Sequence, residues 1–307
     1  MKEITIICPI FNEEKNIDFF INAFNKIFKE HSEFKFSILF ADNASTDNSY
    51  QILKSICNEN QNIKYVRYEK NNGVMRSIFT AISLVECDAC SIFDCDLQDD
   101  PNLLNEFIKN WKNGYKIIYG KRIKRKEIFI LSIFRNIFKK ISYILRGFDI
   151  KIESGAWFLD KEAINEIKDT EFDPFLPALI ERLAFSKKGV EYERVGRKHG
   201  LSKFNFLNYL NYATDGLVSG TIKPLRLSIY FSFLFAFISF FSAIYFVVAK
   251  FYLGIVYAEG IAAIIIINLF SITLIFLFFG ILGEYIGKIY LKDENKKSPK
   301  IKYKINL

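Results

Sequence analysis

The chain has only two histidines, two tryptophans and two methionines among its 307 residues. It contains no G-x-G-x-x-G and no G-x-x-x-x-G-K-[ST], so neither a dinucleotide fingerprint nor a P-loop is present. Five cysteines are too few for the dense disulfide framework of a small secreted domain. Cys87, Cys90 and Cys95 raise the question of zinc, but a structural site wants a fourth ligand at a suitable spacing. His31 and His199 form no such pair, and small buried thiols are the simpler reading. No nucleic-acid-binding motif accompanies the net charge of +8, so nucleic acid is not an expected partner. The apolar run at residues 4–11 is too short for a signal-peptide core and ends in Asn12-Glu13-Glu14 without a cleavage site. Residues 1 to about 220 are therefore expected in the cytoplasm, with their cysteines reduced.

What is abundant is apolar and aromatic. Hydrophobic residues make up 50% and aromatics 17%, including 33 Phe, which excludes a disordered chain. A mean hydropathy of +0.12 beside 25% charged residues suggests a soluble part joined to a lipid-embedded one. The excess sits near the C-terminal end, where residues 227–249 and 260–283 carry no charge. Each run is long enough for a membrane helix, which needs about 20 residues at ~1.5 Å rise. Lys223 and Arg226 precede the first run. Lys288, Lys292, Lys296, Lys297, Lys300, Lys302 and Lys304 follow the second. The positive-inside rule then puts both ends in the cytoplasm. The expected organisation is a catalytic domain over 1–200, a juxtamembrane amphipathic segment over 201–225, a two-helix hairpin over 226–288 and a basic cytoplasmic tail over 289–307. That makes a multi-pass protein of the inner membrane.

The first 120 residues alternate strand and helix patterns. Strands are expected at 4–11, 36–41, 63–68, 89–93 and 115–119. Helices are expected at 14–28, 47–57, 75–85 and from Pro101, at a first turn, to Trp111. Short strands separated by helices predict an α/β fold: a mostly parallel sheet with helices on both faces. Ligands of such sheets bind beyond the carboxyl ends of the strands. Polar clusters stand at those places: Pro9 to Glu14, Asp42 to Asp47, Asp94 to Asp99, and Gly120-Lys121-Arg122.

Asp94 and Asp96 are two residues apart at a strand end, a spacing that puts both carboxylates on one face. Gln98 adds a carbonyl oxygen. Such hard oxygens suit Mg²⁺ or Mn²⁺, typically held by one or two carboxylates plus substrate phosphates. A solvated acidic turn before a helix is the alternative, since Asp99 and Asp100 favour a helix N-terminus.

Together these motifs resemble glycosyltransferase family 2. Pro9-x-Phe11-Asn12-Glu13-Glu14, Asp42-x-x-Ser45-Thr46-Asp47 and Asp94-x-Asp96-Leu97-Gln98-Asp99 carry the resemblance. The continuation Gly120-Lys121-Arg122-x-x-Arg125, Arg197-x-x-Gly200-x-Ser202-Lys203, Asp215-Gly216, Pro224-Leu225-Arg226-Leu227 and Gly283-Glu284-Tyr285 is similar to the polyprenyl-phosphate transferases of that family. The resemblance implies a GT-A fold and a nucleotide-sugar donor, with a UDP-sugar such as UDP-glucose favoured. It further implies inverting transfer of one sugar to polyprenyl (undecaprenyl) phosphate. By the same resemblance Pro9, Phe11, Asn12 and Glu13 belong to the nucleotide-sugar site, and Asp42 to the base. Asp94 and Asp96 match the metal and diphosphate motif, and Gln98 an extra ligand. Arg122 and Arg125 match a basic loop near the acceptor phosphate. Arg197, Ser202 and Lys203 match a loop closing over the phosphates. Two departures stand out. Asp42-Asn43-Ala44 replaces the family's glycine-containing turn, and Glu153 to Leu159 lacks the family's carboxylate and arginine in register.

A phosphate acceptor needs no general base, because its second ionisation lies at about pH 6. Positioning and charge stabilisation are then the tasks left to the protein. Residues 128–148 interleave apolar positions with Arg135, Lys139, Lys140 and Arg146, as expected of an interfacial amphipathic helix on a lipid bilayer. Gly254, Gly280, Gly283 and Gly287 permit close helix contacts, which leaves a homo-oligomer open. The competing readings are a non-processive transferase acting on a lipid-linked oligosaccharide, and a non-catalytic membrane scaffold.

Overall fold

The structure is a computed structural model that describes residues 1–123, 156–170, 176–194, 261–294 and 299–307, together with nine single positions between 140 and 252. The first two-fifths of the chain alternates as its pattern predicts. The elements are β1 (Glu3–Ile10), α1 (Ile17–Glu30), β2 (Lys35–Asp42), α2 (Ser49–Glu59), β3 (Ile63–Tyr68), α3 (Val74–Leu84), β4 (Ala89–Ile92), α4 (Leu103–Lys112) and β5 (Ile117–Arg122). Helix α4 begins two residues after Pro101, which lies in the turn before it and accepts the Leu104 N–H. Beyond β5 come β6 (Trp157–Asp160), α5 (Lys161–Asp169), α6 (Leu176–Arg182), β7 (Lys187–Tyr192), α7 (Ile261–Glu294) and β8 (Ile301–Ile305).

The eight strands form one sheet in the order β7-β5-β6-β4-β1-β2-β3-β8. β1 pairs in parallel with β2 and with β4, and β2 with β3. β6 runs antiparallel to both β4 and β5, so β5 and its parallel partner β7 point the same way as β4. All these carboxyl ends therefore share one edge.

The sheet is covered on both faces, which is why its central strands read as near-continuous apolar runs. Ile4, Ile6 and Phe40 pack beneath Phe20 and Phe24 of α1, Leu53 of α2 and Phe107 of α4. Ile7, Leu39 and Val66 face the other way, toward Ile78 of α3, Ile164 of α5 and Leu179 of α6. Nine phenylalanines gather on the first face. Phe24 stands edge-on to Phe93 at 5.0 Å between ring centroids, and Phe28 stacks on Phe36 at 4.3 Å.

One expectation is corrected here. Residues 301–305, expected within a basic tail, form β8, paired antiparallel with β3. The lysines alternate with Ile301, Tyr303 and Ile305, as an edge strand with one covered face requires. Tyr303 stacks on Tyr50 at 5.2 Å. Asn306 takes a left-handed backbone (φ 59) and its side-chain amide donates to the carbonyls of Cys57, Asn60 and Ile63. Ile301 lies opposite Tyr68, so β8 starts at the carboxyl edge of the sheet. Six residues separate it from the end of α7, a reach of at most about 25 Å.

Taken over the described residues, no helix is long and apolar enough to cross a membrane. The backbone of α7 nevertheless runs as one 34-residue helix through the second uncharged run, with several of its side chains outside the description. The first uncharged run, the interfacial segment 128–148 and the juxtamembrane segment lie outside the described residues apart from single positions.

Candidate active site

The chain order turns around at β1. From it β2 and β3 extend to one side, whereas β4 lies on the other. The crevice between the ends of β1 and β4 is thus the switch point at which open α/β sheets bind ligands. β1 runs past its last pair with β4, Ile7 with Ile92, before reaching Pro9. Pro9 has the parity of Ile7, whose carbonyl accepts the Phe93 N–H, so its missing N–H costs no ladder bond.

Three loops meet there, and each carries a non-glycine residue in the left-handed region: Asn12 (φ 56), Ala44 (φ 64) and Leu97 (φ 53). Such backbone persists where surrounding bonds over-determine it, and functional loops are where it collects. The first two loops are laced together. Asn12 donates its N–H to Ser45 Oγ at 2.9 Å and accepts the Thr46 N–H at 2.7 Å. Glu13 N–H donates to Ser49 Oγ, and Glu14 N–H to Asp47. Asn43 is tied to the turn after β3 through Asn71 and Asn72. Pro9 is buried, whereas Phe11, Asn12 and Glu13 keep partial exposure at the crevice.

Asp42 is fully buried. Its Oδ1 accepts the Ser45 N–H at 2.8 Å, and its Oδ2 accepts the Tyr65 hydroxyl at 2.6 Å and faces Arg67 Nε at 3.7 Å. Burial and the hydrogen bond to Asp42 hold the Tyr65 phenol far above its ordinary range, so it remains a donor. Asp42 accordingly acts from behind the turn in this structure, fixing Ser45 and through it Asn12.

The acidic loop follows β4. Asp96 is buried and accepts the Gln98 N–H at 3.2 Å. Asp94 keeps 36% of its side-chain exposure, yet the protein packed around it, with Asp99 and Asp96 adding like charge, pushes its carboxyl up to about 6. Asp99 is almost fully buried and forms a hub. The Tyr192 hydroxyl donates to its Oδ1 at 2.5 Å, Arg194 Nε lies 3.2 Å from that oxygen, and Arg122 Nη2 3.8 Å. Arg122 Nε donates to the Tyr192 hydroxyl at 3.1 Å, and Arg194 Nη2 stands 3.7 Å from Asp94. Burial and Asp99 together push the Tyr192 phenol up to about 12. The crevice thus holds Asp94, Asp96 and Asp99 facing Arg122 and Arg194 at the ends of β5 and β7.

Among the described residues no three His, Cys, Asp or Glu side chains group closely enough to hold a metal ion by themselves. Two carboxylates at a strand end do fit a cation that takes its other ligands from water and phosphate oxygens. Like-charge crowding on Asp94 is the load that such a cation would relieve.

Asp94, Asp96, Gln98 and Arg122 all stand at the carboxyl edge of the sheet. In the sequence Asp99 reads as a helix-terminal acid, and Tyr192 and Arg194 escape notice. The signal available was weak: β7 is a half-exposed strand without an apolar run, so its end was not recognised as a strand end. Arg125, Arg197, Ser202, Lys203 and Glu153 lie outside the described residues.

A doubly wound α/β sheet with an acidic loop at its switch point, and two arginines on neighbouring strand ends, defines a class: enzymes that bind phosphorylated nucleotides at the strand ends. The sequence narrows this further. The pattern described as Glycosyl transferase family 2 matches residues 5–167, and the chain belongs to that family. It is 32% identical over 302 residues to CsbB of Bacillus subtilis (strain 168), whose name assigns glycosyltransferase activity only provisionally, covering 96% of this chain and 89% of that one. It is 27% identical over 306 residues to the SfII prophage-derived bactoprenol glucosyl transferase of Shigella flexneri, covering 96% of each. In fold it is similar to glucosyl-3-phosphoglycerate synthase of Mycobacterium tuberculosis, solved with Mn²⁺, UDP and phosphoglyceric acid. The TM-score there is 0.51 at 14% identity, over 69% of this chain and 75% of that one.

Proposed function

We propose that the protein moves one sugar from a nucleotide sugar, UDP-glucose or a related UDP-sugar, to polyprenyl phosphate. The observation that carries this reading is the pairing, at one edge of the sheet, of an acidic loop at the switch point with two arginines at the ends of β5 and β7. The full-length similarity to bactoprenol glucosyl transferases supports the same acceptor class. Asp94 and Asp96, with Gln98 nearby, would hold a divalent cation, Mg²⁺ or Mn²⁺, which would supply charge neutralisation for the leaving diphosphate. Asn12, Ser45 and the turn held by Asp42 shape the nucleotide side. The acceptor oxygen, already anionic, attacks the anomeric carbon. The bond from that carbon to the diphosphate breaks, and the nucleoside diphosphate leaves with the electron pair. No proton has to be removed, so the missing family carboxylate near Ala156 is no obstacle to this acceptor.

The acceptor's tail fits the rest of the chain. The uncharged part of α7 measures about 35 Å at ~1.5 Å per residue, against a hydrocarbon core of ~30 Å. Ile264, Ile267, Ile275, Phe279 and Ile286 on that helix are exposed large apolar side chains. So are Tyr230, Leu234, Phe237, Phe241, Ile244 and Val248, a stripe at helical spacing along the first uncharged run. We read both as lipid-facing, with the catalytic sheet on the cytoplasmic face. The short link from α7 to β8 keeps the carboxyl edge, and so the crevice, close to that face.

The test is incubation of purified protein with Mn²⁺, undecaprenyl phosphate and a panel of radiolabelled nucleotide sugars, followed by organic extraction. Label in the lipid phase with one donor supports the reading and names the donor. Free nucleoside diphosphate without lipid label would move the acceptor elsewhere. Neither product would favour a non-catalytic role.

A further inference from the structure

Arg194 lies outside the family motifs and Asp99 stands in one without an assigned role, yet the two organise the cationic side of the crevice. Asp99 Oδ1 is shared by Tyr192, Arg194 and Arg122, whereas Asp99 Oδ2 is buried with no hydrogen-bond partner among the described residues. Arg194 Nε is likewise buried without a well-aligned partner despite standing 3.2 Å from Asp99. A buried carboxylate that leaves one oxygen unmet while holding two guanidiniums is poorly explained by stability, because buried charges are costly unless fully satisfied. It is well explained by positioning. Arg122 and Arg194 keep 17% and 28% of their side-chain exposure, so each has donors left for a ligand. Two guanidiniums side by side suit the tetrahedral oxygens of a phosphate monoester, which each can bind through paired N–H groups.

The sheet order says which phosphate. The switch point lies between β1 and β4, where the donor's diphosphate is expected. Arg122 and Arg194 stand at β5 and beside β7, beyond β6 and away from the β2 and β3 loops that shape the nucleotide side. We propose that Arg194, set beside Arg122 by the positioning residue Asp99, is a second cation for the acceptor's phosphate. This rests on the reading of the acceptor as a lipid phosphate.

The test uses the full-length protein in detergent with a short-chain polyprenyl phosphate. Its binding is measured alongside UDP binding and steady-state KM for each substrate. Arg194→Ala is expected to weaken lipid-phosphate binding and raise its KM by about tenfold, the loss of roughly one charged contact. UDP binding and donor KM stay unchanged, and Arg194→Lys restores part of the loss. Asp99→Asn is expected to give the same split, and adding it to Arg194→Ala should cost little more. Tyr192→Phe, which keeps the ring, provides a milder version should Asp99→Asn fold poorly. Equal losses for donor and acceptor, or an unchanged acceptor KM, would overturn the proposal. Wild-type protein that transfers nothing to the lipid phosphate would instead defeat the functional reading beneath it.

Discussion

Removing a single hydroxyl, in Tyr65→Phe, tests how the nucleotide side of the crevice is built. That hydroxyl donates to Asp42 Oδ2 at 2.6 Å inside a fully buried turn. Without it the carboxylate keeps the Ser45 N–H and the Arg67 guanidinium, which is 3.7 Å away and not aligned for a hydrogen bond. Leaving a buried charged acceptor short of a donor costs about 2 kcal/mol. For a domain of this size that lowers Tm by about 5 °C. The loss should shrink in an Asp42→Asn background, because the buried charge is gone. The double-mutant cycle then gives a coupling of about 1 kcal/mol. Function should follow, since Asp42 fixes Ser45 and Ser45 Oγ accepts the Asn12 N–H. KM for the nucleotide sugar is expected to rise, with the acceptor KM unmoved. Thermal unfolding and initial rates on the same preparations measure both. An unchanged Tm, or strictly additive losses in the double variant, would refute the reasoning.

Further outcomes are expected elsewhere. Ala44→Gly should raise stability by about 0.5–1 kcal/mol. It relieves a left-handed alanine costing ~1–2 kcal/mol, less the ~0.5–1 kcal/mol of extra freedom glycine has when unfolded; chemical denaturation reads the sign directly. Asn306→Ala should cost about 2 kcal/mol, since it loses a side-chain amide that donates to three carbonyls and also strains the backbone. Asn306→Gly should cost less, and a melting comparison of the two separates the contributions. Asp96→Ala should abolish transfer while the protein folds and purifies as before, and chelation of wild-type protein should do the same until Mn²⁺ is restored. Near-normal turnover in either case removes the metal role.

Most of what positions the site was legible in the sequence. The strands from β1 to β5 and the helices between them announce themselves by period, and the polar clusters sit where those strands end. Four things were not. β6 is only four residues long and antiparallel, and nothing in Trp157 to Asp160 distinguishes a reversed strand from a parallel one. β8 alternates apolar residues with lysine, but the same lysines satisfied the positive-inside count and so read as a membrane flank. The hub on Asp99 joins residues 93 apart in sequence, Asp99 and Tyr192, and such a pairing exists only once β5, β6 and β7 are laid side by side. The role of Asp42 was hidden for a related reason. Its partner Tyr65 comes from a neighbouring strand.

The claim beneath all of this is that the sugar ends on the phosphate of a lipid. Phosphorus NMR of the extracted product tests it most directly. The account predicts that the acceptor's phosphate monoester becomes a diester bearing one sugar, with the anomeric configuration opposite to the donor's. An unchanged monoester, or label found on a sugar hydroxyl of a lipid-linked oligosaccharide, would contradict it.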